Sequence, residues 1–323
     1  MTGAGGSASL VVNGTAANDV FSVNTSALGG QVTLNSRAPI LTANIPTLTL
    51  EGVAGNDTFT LLPAILSSPY TTLNLHAGPP ATPTGSQANL TATAGTPITL
   101  SGQTLTQGAI TVAGSGLANE NLNDAGNDLT YNGVAGVTEN INVIASPTAN
   151  AGRVSVPGVV LVTFTNVPRL DFNGNPGEND TLSFTGTDND DVFQIHLDAA
   201  GTDGDPILIL QTTVGATLLT LRNYTGFASN VLSVYGLDGA DTFNVYTSAR
   251  GPSRNLFLDG GPPSGKKKST DKLNIFYEAP RPRIIQSTEQ QDPDAGLVDL
   301  DYGTARVLIQ YDDIEDVTIA KKR

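Results

Sequence analysis

The sequence contains no cysteine and no tryptophan, and few of its residues are charged. The absence of cysteine excludes disulfide bonds and thiolate metal sites. Charged residues make up 14% of the 323 residues, well below the roughly 25% of an average globular protein. The net charge of −14 argues against a nucleic-acid partner, because binding to phosphates requires a positive surface.

Long apolar runs and catalytic motifs are also missing. No run approaches the roughly 20 apolar residues that a membrane-spanning helix needs, so we expect no membrane span. The first residues, MTGAGGSASL, lack the basic start and apolar core of a signal peptide. The G-x-S-x-G motif of serine hydrolases is absent, and carboxylate pairs such as Asp312-Asp313 fall on strand-like segments, where neighbours point to opposite faces. We therefore expect no catalytic residues and a protein that is not an enzyme.

What the sequence does contain is a recurring phrase of apolar strand, Gly-rich turn, Asp and apolar strand. It reads LVVNGTAANDVFSV from Leu10, LTLEGVAGNDTFTL from Leu48, LDFNGNPGENDTLSF from Leu170, TGTDNDDVFQI from Thr185 and LSVYGLDGADTFNV from Leu232. Apolar and polar residues alternate on both sides of each turn, which is typical of strands with one buried face. The phrases predict an all-β protein built from copies of one supersecondary unit.

Two architectures fit such copies. We predict a parallel β-helix or β-solenoid-like repeat array, in which each coil covers the apolar face of its neighbour. Tandem β-sandwich domains are the alternative, since short strands at turn-marked intervals also build sandwiches. The irregular spacing of the phrases leaves this alternative open.

The phrases also indicate an approximate duplication of the chain. Four matches keep the same order: 14–21 with 186–193, 52–59 with 236–243, 73–80 with 256–263, and 164–170 with 311–317. The separation between matched residues shortens at the last match, which indicates an insertion in the first copy. We predict a first β-repeat module over residues 1–165, with an insertion around 95–150, and a second module over 166–323.

The first and last strands predict a mode of assembly. The segment from Leu10 matches the one that follows the turn NGNPGEND, whereas VTIA from Val317 matches LDFN, which precedes that turn. The chain therefore begins and ends at the same point of its own period. We predict that the last strand of one chain joins the first strand of the next. The residues predicted to form this contact are Leu10, Val11, Val12, Val317, Thr318, Ile319 and Ala320.

Two of the turns resemble a known calcium-binding motif. GVAGNDTFTL and GLDGADTFNV are similar to the nonapeptide G-G-x-G-x-D-x-U-x of RTX (haemolysin-type) proteins, in which glycine corners and an Asp hold Ca²⁺ between turns of a parallel β-roll. The resemblance implies possible calcium ligands at Asp57, Asp238, Asp241, Asp19 and Asp191. RTX repeats follow one another every nine residues, whereas these copies lie tens of residues apart. The alternative interpretation is that each Asp caps its turn and that Phe59 and Phe243 fill the core.

These observations favour a non-enzymatic structural module of a surface layer, fibre or long adhesin, located outside the cell or on its surface. We expect it to associate with copies of itself or with neighbouring repeats, and we expect no cofactor other than calcium. One alternative is a calcium-stabilised, RTX-like adhesion module. The other is a β-helix that binds or cleaves polysaccharide, with a surface polysaccharide as its partner.

Overall fold

The computed structural model describes residues 2, 8–62, 64–79, 85–158, 160–175, 177–197, 207–225, 231–249, 254–261, 270–288, 292–303 and 305–322. Within them the chain forms β-strands and one short 3₁₀ helix, Ile65–Ser67. None of the described helical structure is long or apolar enough to cross a membrane. The chain divides into two compact units, unit 1 (Met1–Val134 and Val154–Pro168) and unit 2 (Ala135–Arg153 and Arg169–Arg323). Whether residues 1–165 and 166–323 are two copies of one module stays a prediction.

The strands are short, and they follow one another closely. In chain order they are β1 (Ser9–Asn13), β2 (Val20–Ser26), β3 (Gly29–Leu34), β4 (Ile40–Thr42), β5 (Thr47–Glu51), β6 (Thr58–Leu61), β7 (Thr72–His76), β8 (Ser86–Thr91), β9 (Ile98–Ser101), β10 (Thr104–Gln107), β11 (Ile110–Ser115), β12 (Leu117–Asn123), β13 (Leu129–Asn132), β14 (Asn140–Ala145), β15 (Gly152–Val156), β16 (Val160–Thr165), β17 (Leu170–Asn173), β18 (Thr181–Thr185), β19 (Asp191–Leu197), β20 (Leu208–Thr212), β21 (Thr217–Thr225), β22 (Val231–Tyr235), β23 (Thr242–Thr247), β24 (Arg254–Asp259), β25 (Lys272–Tyr277), β26 (Arg283–Thr288), β27 (Gly296–Asp301), β28 (Arg306–Asp312) and β29 (Asp316–Lys321).

Each unit contains strands of two sheets. In unit 1 the first sheet has the order β1-β5-β7-β11-β10-β9-β13, and the second has the order β16-β12-β8-β6-β2-β3-β4. In unit 2 the first sheet has the order β17-β21-β20-β19-β23-β25-β29, and the second has the order β26-β27-β28-β24-β22-β18-β14. The strand β15 crosses the boundary between the two units in the sequence.

Consecutive strands alternate between the two sheets, and most neighbours within a sheet run parallel. Thus β1 pairs in parallel with β5, and β5 with β7, while β2 pairs in parallel with β6. Such pairing is that of successive coils, not the antiparallel pairing of a β-sandwich. The prediction of an all-β, β-solenoid-like fold is confirmed. The described coils are interrupted by three-stranded antiparallel meanders, among them β2–β4 and β19–β21.

The alternating sequence explains the strands and their core. In β5 the side chains of Leu48 and Leu50 are fully buried, whereas those of Thr47 and Thr49 face outward. Parallel pairing in register places like residues on top of one another. Phe21 stacks on Phe59 with ring centroids 5.1 Å apart, and Phe193 stacks on Phe243 at 4.8 Å. Stacked aromatic pairs contribute about 0.5–1.5 kcal/mol beyond their buried area.

The two units share one order of elements. In unit 1 a single strand, β1, is followed by the meander β2–β4 and then by β5 to β8, which alternate between the sheets. In unit 2 the strand β18 is followed by the meander β19–β21 and then by β22 to β25, again in alternation. These runs contain the first three of the four sequence matches that indicate a duplication.

Candidate functional site

The turns that carry the Asp residues have one construction. In four of them the sequence is Gly-x-x-x-x-Asp, and the carboxylate folds back against the glycine. A Cβ atom at Gly52 would overlap the Asp57 carboxylate and lie 2.8 Å from the carbonyl oxygen of Ala77 in the next coil. A Cβ at Gly236 would overlap the Asp241 carboxylate in the same way. The glycine is therefore required by the aspartate of its own turn.

In unit 1 the aspartates link successive coils. The backbone N–H of Asp19 donates to Oδ1 of Asp57 at 2.9 Å, and the N–H of Asp57 donates to Oγ of Ser86 at 2.8 Å. Within its own turn Asp19 accepts the N–H of Thr15 at Oδ2, at 2.5 Å. Both carboxylates are 1% exposed. We call this series of hydrogen bonds the unit 1 ladder (Asp19, Asp57 and Ser86).

Unit 2 contains a longer series. The N–H of Asp191 donates to Oδ1 of Asp241 at 2.8 Å, the N–H of Asp241 to Oδ1 of Asp271 at 2.6 Å, and the N–H of Asp271 to Oε2 of Glu315 at 2.7 Å. We call it the unit 2 ladder (Asp191, Asp241, Asp271 and Glu315). Each of these hydrogen bonds joins residues of successive coils, so each ladder fixes the register of its coils.

All these bonds run in one direction along the chain. In each, the earlier residue donates its backbone N–H and the later residue accepts it with its side chain. A further bond in unit 2 follows the same rule, since the N–H of Glu139 donates to Oδ1 of Asp180 at 2.9 Å. This order belongs to the ladders alone, because in the same turns the N–H of Asn56 donates to Asn18 Oδ1 and that of Ala240 donates to Asp190 Oδ1.

The sequence analysis missed Ser86, Asp271 and Glu315 as members of the ladders. Asp271 stands directly before an alternating strand, in DKLNIF, as Asp57 does in DTFTL. That position is the signal that identifies it, but its turn lacks the Gly-x-x-x-x-Asp spacing. Ser86 and Glu315 carry no comparable signal.

Burial changes the ionisation of the unit 2 ladder. Loss of hydration raises the pKa of Asp241 to about 8, and the nearby Asp271 and Asp191 carboxylates add to this effect. Burial likewise raises the pKa of Asp191 and of Asp271 to about 6. In unit 1, burial raises the pKa of Asp57. The Asp241 carboxyl, with a pKa of about 8, is therefore mostly protonated at neutral pH.

Asp19 is the exception, because hydrogen bonds to its carboxylate outweigh the effect of its burial. Burial alone would raise its pKa, but hydrogen bonds from Thr15 and from the Asn35 side chain hold the pKa of Asp19 below its usual value. Asn35 Nδ2 donates to Asp19 Oδ1 at 2.7 Å. In unit 2 the residue at the matching place in the meander is Gln211, whose side chain instead accepts a hydrogen bond from Gln194. The Oδ1 atom of Asp191 is buried without a hydrogen-bond partner.

This difference gives a test of the hydrogen bond from Asn35 to Asp19. The change Asn35→Ala is expected to raise the pKa of Asp19 and to lower the free energy of unfolding by about 1–3 kcal/mol at pH 7, because a buried carboxylate loses a hydrogen bond. The matched control is Gln211→Ala, which touches neither ladder and should change stability by less than about 0.5 kcal/mol. Denaturant unfolding of both variants measures the effect. Equal losses in the two variants would contradict the assignment.

The structure brings together four of the five residues predicted to bind calcium, in two pairs. Asp19 and Asp57 are neighbours in the unit 1 ladder, and Asp191 and Asp241 are neighbours in the unit 2 ladder. Asp238 is half-buried in the turn before Asp241 and lies outside that ladder. The described residues include no group of three or more His, Asp or Glu side chains arranged to hold a metal ion. Calcium prefers six to eight oxygen ligands, and the calcium assignment stays a prediction.

The strands predicted to mediate assembly lie at sheet edges. β1 ends the strand order of the first sheet in unit 1, and β29 ends that of the first sheet in unit 2. In a parallel pair, alternate residues bond to the partner strand. Gly14 N–H donates to Glu51 O at 2.6 Å. The backbone N–H and C=O groups of Leu10 and Val12 therefore point toward β5, and those of Val11 point away from it.

The same reasoning applies to β29. The N–H groups of Asp316 and Lys322 donate to carbonyl oxygens of Asp271 and Tyr277 at 3.2 and 2.8 Å, so Thr318 and Ala320 bond to β25. The backbone groups of Val317 and Ile319 point away from β25. Of the seven predicted residues, Val11, Val317 and Ile319 are therefore the ones with backbone groups directed toward the open edge.

Comparison with known proteins does not identify a relative. The chain matches no protein-family model, and no curated protein matches it.

Proposed function

We propose that this chain is a non-enzymatic structural module of an extracellular or cell-surface assembly that grows head to tail by pairing β29 of one chain with β1 of the next. The observation that carries the proposal is that β1 and β29 are both edge strands, each paired in parallel with its neighbour. At each edge, the N–H and C=O groups of every second residue point outward, away from the neighbouring strand of the sheet. Such groups are a template for another strand.

The edges of the two second sheets are different. In unit 1 that edge is β4, which is only three residues long. In unit 2 it is β26, which begins at Arg283 and has mostly exposed side chains. Short or charged edge strands are the usual protection against unwanted pairing. Length separates β4 from β1, which has five residues and no charge, whereas charge does not separate β26, with Arg283, from β29, with Asp316 and Lys321.

The side chains at these edges favour a contact with a copy of the chain. Val11 is 54% exposed, and Val317 and Ile319 are half-buried on β29. Pairing of β29 with β1 would repeat the parallel geometry found between coils inside each unit. A head-to-tail contact that does not close on itself produces a filament.

The buried aspartates fit a structural role better than a catalytic one. Hydrolysis by two carboxyl groups needs both of them in an open cleft, facing the substrate. Asp57, Asp191 and Asp241 are at most 1% exposed, and each accepts a backbone N–H from a neighbouring coil or its own turn. Their chemistry holds coils together.

Proline substitutions at the open edges test the proposal. Val11→Pro removes an outward N–H without removing a bond to β5, and Ile319→Pro does the same on β29. Each variant should stay a single chain under conditions in which the parent forms filaments, as seen by electron microscopy and sedimentation. An equal mixture of the two should form dimers and no longer species, because each variant keeps one competent edge.

The matched controls are Val11→Thr and Ile319→Thr, which keep the backbone N–H. Both should still form filaments. A parent chain that remains monomeric at every concentration, or filaments formed equally by the proline variants, would overturn the proposal.

A calcium-stabilised module is the second candidate. The observation in its favour is that Asp57 Oδ2 and Asp241 Oδ2 are buried without a hydrogen-bond partner. A cation bound to the folded state at 100 times its dissociation constant would stabilise it by about 2.7 kcal/mol. Calorimetry with calcium and with a chelator separates the candidates, since an unchanged melting temperature rules this one out.

A further inference from the structure

The outer face of the second sheet in unit 1 carries a groove of about 440 Å³. It crosses β6, β8, β12 and β16, where the outward side chains stand in two rows. One row contains Thr60, Asn89, Asn121 and Thr163, and the other contains Leu62, Thr91, Asn123 and Thr165. Neighbouring strands are about 4.8 Å apart, so the first row repeats a polar group at that interval, and the second row does so after Leu62.

The groove has no charged side chain in its lining. The charged residues of unit 1 as a whole are few, and several are buried. They are Asp19, Arg37, Glu51, Asp57, Glu120, Asp124 and Asp128. A charged ligand placed in this groove would lose hydration without gaining an opposite charge, so the surface selects for a neutral ligand.

The polar groups of the groove keep unused hydrogen-bonding capacity. Asn89 donates one N–H to Thr60 Oγ1 at 3.4 Å and accepts one from Asn121 at 2.8 Å. An amide side chain has two donors and two lone pairs, which leaves one of each on Asn89 for a ligand. An apolar partner would cover these groups without satisfying them, at a cost of about 1–3 kcal/mol for each buried group.

One apolar side chain borders the groove. Leu62 is 57% exposed and follows β6 directly. A ligand with hydroxyl groups along its edges and C–H groups on its faces would satisfy both kinds of lining. Because the rows lie on the face of the sheet, they offer no unpaired backbone groups to a peptide strand.

Unit 2 shows what the same face looks like when this space is filled. The match of 52–59 with 236–243 places Tyr246 at the position of Leu62. The register of β6 with β8 and of β23 with β25 then places Phe276 at the position of Thr91. His196 stacks on Tyr246 with ring centroids 4.7 Å apart, and Tyr246 stacks on Phe276 at 5.2 Å. The second row of unit 2 is thus a stack of rings, whereas the second row of unit 1 is small, polar and open.

We propose that the groove of unit 1 binds a neutral oligosaccharide or polysaccharide chain laid across β6, β8, β12 and β16. The amide and hydroxyl rows hydrogen-bond to the sugar hydroxyl groups, and Leu62 packs against a sugar ring. Sugar binding at this groove does not depend on head-to-tail assembly through β29 and β1.

Calorimetric titration with a panel of hexasaccharides tests the inference. The panel contains β-1,4-linked and β-1,3-linked glucose, α-1,4-linked glucose, β-1,4-linked N-acetylglucosamine and, as the acidic probe, α-1,4-linked galacturonate. The parent chain should bind at least one neutral member and should bind the acidic one at least about tenfold more weakly, which corresponds to about 1.4 kcal/mol.

Two variants locate the site. Thr91→Arg fills the groove and should weaken binding of the neutral ligand at least about tenfold, while Asn89→Leu removes a donor and an acceptor at nearly constant volume and should weaken it as well. The matched control is Thr106→Arg, which places the same side chain on a half-buried outward position of β10 in the other sheet. It should bind as the parent does.

The same samples are examined by electron microscopy, so that loss of binding is read separately from loss of assembly. Three results would overturn the inference: no binding of any neutral hexasaccharide, tighter binding of the acidic probe, or undiminished binding by Thr91→Arg.

Discussion

Replacing Asp241 with asparagine is expected to make the protein more stable above pH 8 and to flatten the pH dependence of its unfolding. Burial raises the pKa of Asp241 to about 8, whereas an aspartate in an unfolded chain titrates near 3.9. The folded state therefore binds more protons than the unfolded state between about pH 4 and pH 8. The contribution of Asp241 to stability is complete below pH 4 and is lost as the pH rises through 8.

Asparagine keeps an oxygen that can accept the N–H of Asp191, and it cannot ionise. Thermal and denaturant unfolding from pH 4 to pH 9 should show the variant close to the parent at pH 4. At pH 9 it should be more stable than the parent by at least about 1.4 kcal/mol, the equivalent of a single pKa unit.

Asp19 provides the control with the opposite sign. Its pKa in the folded state lies below the usual value, so its contribution is present above the pKa of the unfolded chain and is lost as the pH falls through the folded value. Asp19→Asn should therefore destabilise the protein at pH 7, and the effect should shrink as the pH falls through the folded pKa of Asp19. An Asp241→Asn variant that is less stable than the parent at pH 9 would contradict this account of the unit 2 ladder.

The change Gly78→Ala is expected to unfold unit 1 or to lower its free energy of unfolding by about 3 kcal/mol or more. Gly78 has φ +69°, and a Cβ atom there would overlap the backbone carbonyl oxygen of Val53 in the neighbouring coil. Backbone atoms on both sides are held by parallel pairing, so neither coil can move away. Circular dichroism and denaturant unfolding measure the loss.

Gly126→Ala separates the two contributions to this effect. Gly126 also has a positive φ, +86°, but a Cβ atom there meets nothing within 4 Å. It should lose only the roughly 1–2 kcal/mol that a left-handed conformation costs an L-residue. Similar losses at both positions would show that the close approach of the coils at Gly78 contributes nothing.

The sequence was sufficient to predict the strands and the kind of fold. Leu48 and Leu50 alternate with threonines because one face of the strand is buried, and the structure has them in the core. Phe59 and Phe243 were predicted to fill the core, and both are fully buried. The alternation of apolar and polar residues is a local pattern, and each strand with one buried face shows it in its own sequence.

The ladders were less predictable, because they depend on residues that are distant in the sequence. The Gly-x-x-x-x-Asp spacing indicated a special turn, but it did not indicate that Asp57 accepts the backbone N–H of Asp19. Asn35 sits in the meander, and its bond to Asp19 exists only because β3 folds back on β2. Long-range register of this kind follows from the assembled sheets, not from any single segment.

The one-way order of the ladder bonds has a consequence for biosynthesis. Asp19 reaches the end of the ribosomal tunnel before Asp57, and Asp191 before Asp241, so every donor waits for an acceptor that has yet to be translated. Each new coil completes the one before it, while the youngest corner is always left with an open N–H. A chain that stops before Asp271 therefore leaves the N–H of Asp241 without its side-chain acceptor, whereas a chain that lacks Asp19 leaves Oδ1 of Asp57 without its donor.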